Sequence, residues 1–151
     1  MRAIFILAWF LLVSACAGTP YQKMGVGGGY DDRKVTDTLW SVKFISNVKS
    51  ARGFAQEAAL YRSAEIAKAK GFKFFAVVSS NVHFNQHGSY AGGSLIFMTT
   101  TGQTATIDAV GLQNRDSSFA CASATADSCG VFETDAVLRD HAEVMRKAGH
   151  R

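Results

Sequence analysis

The chain has 151 residues, 48% apolar and 19% charged, with 3 Cys, 1 Pro and a formal charge of +4. That length supports one domain, since domains run to about 100–200 residues, and it excludes a multidomain enzyme. The composition is too hydrophobic for a disordered tail, the Cys are too few for a disulfide-built miniprotein, and a single strongly apolar stretch excludes a polytopic membrane protein.

That stretch comes first. Ala3 to Val13 (AIFILAWFLLV) follows Met1-Arg2 without a polar interruption. As a helix it reaches about 16 Å, half of the roughly 30 Å hydrocarbon core, which is too short for a permanent span. It matches the apolar core of about 7–15 residues of a secretory signal peptide. Val13-Ser14-Ala15-Cys16 has the form of a bacterial lipobox: small residues admit the backbone to the peptidase, and the Cys thiol is the nucleophile that takes a diacylglyceryl group. Acylation of the new amine then adds a further chain, and two or more chains anchor a protein stably. Residues 1–15 are read as signal peptide, 16–29 as a lipidated N-terminus and flexible tether, and 30–151 as one periplasmic domain. Ala17 stands where an Asp favours retention in the inner membrane, so sorting to the outer membrane is expected.

Ala17 to Gly29 (AGTPYQKMGVGGG) holds the only Pro and shows no apolar period. Its glycines lack the strand before, the helix after and the Lys-Ser/Thr ending of a phosphate-binding loop. Leu39 to Ser46 alternates, with Trp40, Val42 and Phe44 on one face of a half-buried strand. Ser50 is placed to N-cap a helix to about Lys70, stopped by Gly71. Its alanines allow close approach to a sheet. Phe72 to Ser79 reads as a buried strand, extended by Val82 to Phe84, and Asn85 to Gly93 as a loop. Ser94–Thr101 and Thr104–Leu112 are expected to form a hairpin around Gly102-Gln103. Thr134 or Asp135 caps a last helix to about Ala148, with Val137, Leu138, His141, Val144 and Met145 on its apolar face. The fold class is α+β, in the approximate order β-α-β-β-β-α.

Gly28-Gly29-Tyr30-Asp31-Asp32, Trp40 to Phe44, Leu60-Tyr61-Arg62-Ser63-Ala64-Glu65 and Gly71-Phe72-Lys73-Phe74-Phe75 occur in that order behind the lipobox. Together they resemble an uncharacterised family of small proteobacterial lipoproteins, over Cys16 to about Val78. Ser63 departs from the family's usual Ala. The resemblance implies an envelope address and carries over no catalytic residue.

Four residue groups carry whatever chemistry the domain has. Tyr61, Arg62 and Glu65 lie within reach of one another on a helix. They read as a structural polar cluster or an interaction site, with Glu65 reaching back toward Tyr30 or the partners of Asp31-Asp32 to fix the tether's exit. Cys121 and Cys129 make an even pair once Cys16 is lipidated. In an oxidising compartment they are expected to close a structural disulfide, with a redox-sensing pair as the rival. His83 and His87 span about 13 Å on extended chain and lack an evident third ligand, so no metal or other cofactor is expected beyond the lipid on Cys16. Lys68, Lys70 and Lys73 form either a solvated face or a contact to anionic polymers. No nucleophile elbow appears. The expected molecule is a non-enzymatic, lipid-anchored protein that is structural or an accessory to an unknown envelope protein complex, with the bilayer as partner and no nucleic acid. The alternatives are an envelope-stress sensor using the Cys pair, and a small cell-wall-acting enzyme.

Overall fold

The computed structural model describes residues 17–91, 94–116, 121 and 129–149; residues 1–16, read above as signal peptide and lipobox Cys, lie outside them. Five strands and two helices follow in chain order: β1 (Gly29–Lys34), β2 (Leu39–Asn47), α1 (Phe54–Ala69), β3 (Phe74–Ala91), β4 (Ser94–Leu112), β5 (Gly130–Glu133) and α2 (Thr134–Gly149). The strands form one antiparallel sheet in the order β1-β2-β4-β3-β5. The α+β class stands; β1 and β5 are additional to the expected strands, and the expected strands 94–101 and 104–112 are the single strand β4.

The alternation in β2 does what it predicts. Trp40, Val42, Phe44 and Ser46 are buried on one face. In β4, Gln103, Ala105, Ile107 and Ala109 are buried in register beside them. The helix α1 lies on this face through Phe54, Ala55, Ala58, Ala59, Ser63, Ala64 and Ala67. Small side chains let its backbone come close, and an antiparallel sheet with one covered face leaves the other to solvent. Ser63 sits fully buried, its hydroxyl donating to the Ala59 carbonyl at 3.0 Å, so its polar group is satisfied within the helix. Val137 and Met145 bury α2 against the same core, while Val144, assigned to that apolar face, is exposed.

Four local expectations are corrected. The N-cap of α1 is Gly53 rather than Ser50, in the left-handed region at φ 85°. The β4 side chain of Gln103 holds this entry, its carbonyl accepting from Gly53 N at 3.0 Å and its amide donating to Ala51 O at 3.3 Å. Gly102-Gln103 is strand rather than turn: Gly102 pairs with both Asn47 and Asn85. Asn85 to Ala91 is strand rather than loop, so β3 and β4 form one long hairpin. Polar and Gly-rich sequence read as loop because its ladder lies almost entirely in backbone bonds.

The fourth correction concerns the tether, which from Ala17 onward is docked. Asn47 Nδ2 donates to Ala17 O at 3.1 Å, and Thr19 N donates to Ser50 Oγ at 3.0 Å. The buried Thr19 hydroxyl donates to Gly27 O at 2.9 Å and accepts from Asn47 N at 2.8 Å. The glycines make a tight reversal, Gly25 and Gly28 exchanging backbone bonds at 3.1 Å each. Gly28 and Gly29 have φ of 96° and 131°. A Cβ on Gly29 would stand 2.5 Å from Gln22 O, so here glycine serves close approach rather than flexibility.

Candidate functional site

The docked segment ends against the polar cluster of α1. Tyr21 enters between Tyr30, Phe44 and Tyr61, with ring centroids at 5.2, 6.3 and 5.2 Å. Its hydroxyl donates to Glu65 Oε2 at 2.6 Å. Arg62 donates to the same oxygen at 2.9 Å and, through Nε, to Asp32 Oδ1 on β1 at 3.1 Å. The guanidinium also lies 4.5 Å over the Tyr30 ring, a cation–π contact. The N-terminal segment, β1 and α1 therefore meet in one clasp.

Of the residues singled out in the sequence, Tyr61, Arg62 and Glu65 do come together. Tyr61 joins by an edge-to-face ring contact. It is Arg62, not Glu65, that reaches Tyr30 and Asp32; Glu65 holds Tyr21 instead. Tyr21 was not singled out and Asp32 only as part of the Asp31-Asp32 segment; separations of 44 and 30 residues from their partners leave no local spacing to read.

The electrostatics strengthen the hold of these groups on one another. Burial, then the bond to Glu65, pushes the Tyr21 phenol well above its ordinary range. Burial and the Glu65 charge raise Tyr61 as well. Burial works against the charge on Arg62, but Glu65 and Asp32 outweigh it and hold the guanidinium above its usual value. A protonated phenol and a charged Arg sharing one carboxylate make a strong charge-assisted clasp.

The clasp has an alkaline signature. Below the ordinary phenol value of 10.0, Tyr21 is protonated whether folded or unfolded, and its contribution to stability is fully present. Above it the unfolded chain ionises first, so that contribution falls as pH rises toward the elevated folded value. Tyr21→Phe should flatten the decline of thermal stability above about pH 10 relative to the parent; an unchanged slope in parallel melts would contradict the assignment.

The remaining groups lie elsewhere. Cys121 and Cys129 hold their Cα atoms 5.8 Å apart with the sulfurs at disulfide distance, and residues 122–128 lie outside the described residues. His83 and His87 are exposed on β3, in register with Thr104 and Thr99. Among the described residues no group of three His, Cys, Asp or Glu is placed to hold a metal ion. In the lysine group, Lys68 pairs with Asp135 at 2.6 Å and Lys70 donates to Asp37 O at 2.9 Å. No helix among the described residues is long and apolar enough to cross a membrane. Comparison with protein-family models, curated proteins and solved structures gave no match.

Proposed function

We propose that this chain is a bacterial lipoprotein, anchored through diacylglyceryl and acyl groups on Cys16 in the outer membrane and facing the periplasm. Its domain is non-catalytic and acts in envelope structure or as an accessory to an envelope protein complex. The observation that carries the reading is the sequence Val13-Ser14-Ala15-Cys16 behind an apolar run. The clasp supports the non-catalytic part, because the polar groups at the most pointed constellation are engaged in holding Tyr21 and β1. The Cys pair is in keeping with a staple on the β4–β5 connection.

Metabolic labelling with palmitate tests the anchor. The parent chain should carry label and sediment with membranes, and Cys16→Ser should lose all of it. Label that persists on the Cys16→Ser chain would overturn the lipoprotein reading.

A further inference from the structure

The sheet has two edges, and the sequence treats them differently. β1 carries Asp31, Asp32, Arg33 and Lys34, all exposed, and such charges keep a strand edge from pairing with another chain. β3 has no such guard. From Phe74 to Ile107 the sequence contains no Asp, Glu, Lys or Arg. β5 pairs with β3 only from Phe74 to Val77, and the register of β3 then shifts between Val77 and Ser79. Among the described residues no strand pairs with that side of β3 thereafter. Ser79–Phe84 therefore presents about 20 Å of strand edge, with β4 on its other side. Every second residue turns its N–H and C=O outward, a ladder that another extended backbone matches in series.

A groove lies beside this edge. Ser80 and Phe84 face the α1 side: Gln56 Nε2 donates to Ser80 Oγ at 3.4 Å, and Arg52 lies 5.7 Å over the Phe84 ring. Val82, between them in the alternation, shares that side. With Leu60, Val77, Ile107 and Phe132 it lines a groove of about 570 Å³, which Cys129 and Gly130 border at the start of β5. None of the lining residues is charged. A strand laid along Ser79–Phe84 would turn every second side chain, about 7 Å apart, to this groove.

We propose that Ser79–Phe84 is a docking edge for an extended, uncharged segment of a partner protein. The segment adds a strand in line with β5 and sets apolar side chains at alternate positions into the groove. A second copy of this chain does not fit. Its own Ser79–Phe84, paired antiparallel here, would carry its Gln86 and His87 onto the places that Gly130 and Val131 hold beside Val77 and Ala76. A lipid in the groove would leave the backbone ladder unmatched. The proposal deepens the reading of an accessory to a protein complex and rests on it for the partner being a protein.

The full chain, produced in bacteria, is titrated with a dye-labelled peptide of alternating Thr and Val, carrying one Lys at each end for solubility. N-methylation of one alternate set of amides, either every Val or every Thr, should weaken binding about tenfold, while methylation of the other set leaves it unchanged. Val82→Lys should weaken it about tenfold too, and Val35→Lys, in the β1–β2 connection, should not. Equal effects of the two methylated sets overturn the added strand, whether or not Val82→Lys folds. Binding seen only after reduction of the Cys121–Cys129 pair overturns the partner in favour of the chain's own β4–β5 connection. Dimers that the peptide dissociates overturn it in favour of a second copy. Palmitate-labelled chain that binds no peptide in either redox state overturns the edge and leaves the anchor standing. Binding by unlabelled chain, with the alternate methylation pattern, supports the edge and removes the anchor.

Discussion

Phe44→Ala should lower the unfolding free energy by about 3–5 kcal/mol, the usual cost of emptying a buried aromatic site. Phe44 is fully buried between Tyr30 on β1 and Ala105 on β4, its register partners. It meets Phe54 edge-to-face at 5.4 Å and lies parallel to Tyr21 at 6.3 Å. Its neighbours cannot refill the space, because α1 presents alanines to the sheet and Ala105 is small. A domain of this size has about 5–15 kcal/mol in all, so the variant is left close to the threshold. Urea titration reads the loss directly. Phe44→Leu, which keeps most of the volume, should cost less than about 1.5 kcal/mol. Equal losses for the two variants would mean that the pocket collapses.

Gly102→Val is the second large effect, expected at about 2–3 kcal/mol by overpacking against backbone. Gly102 is buried where β2 ends and the β3–β4 hairpin continues alone. A Cβ there would overlap the Ser46 carbonyl oxygen and come within 3.2 Å of Asn47 Cα. Neither is a flexible side chain, so the strands must part. The register already shifts beside this row, at Asn85/Gln86, as at a bulge where a strand changes neighbours. Amide exchange should therefore accelerate at Thr101, Gln103 and Asn47 more than at Ala109. A uniform acceleration across β4 would show that the whole sheet loosens instead.

The β2 strand was legible because its apolar period is set by burial on a single face, and α1 because Gly71 and its alanines mark its stop and its close approach. The β1 strand was not. Its residues GYDDRK carry no apolar alternation, since an edge strand that is mostly exposed needs none. Gly102 misled for a related reason: glycine punctuates turns, but it also serves where another backbone passes close. The clasp was half legible. Spacing along α1 brings Tyr61, Arg62 and Glu65 together, whereas Tyr21 and Asp32 arrive only through sheet closure and the docked N-terminal segment.

For a lipoprotein processed at Cys16, as proposed above, the bond from Asn47 to Ala17 also sets an order of events during biogenesis. An enzyme acting on the backbone beside Cys16 must bind several residues of extended chain on both sides of the reacting bond. In the folded domain the downstream side is already taken up by Asn47, Ser50 and the Gly25–Gly28 reversal. In that case maturation at Cys16 and completion of the fold compete for the same residues. On the proposed lipoprotein reading the chain is processed while Ala17 to Thr19 are still free, so faster docking of this segment would slow maturation.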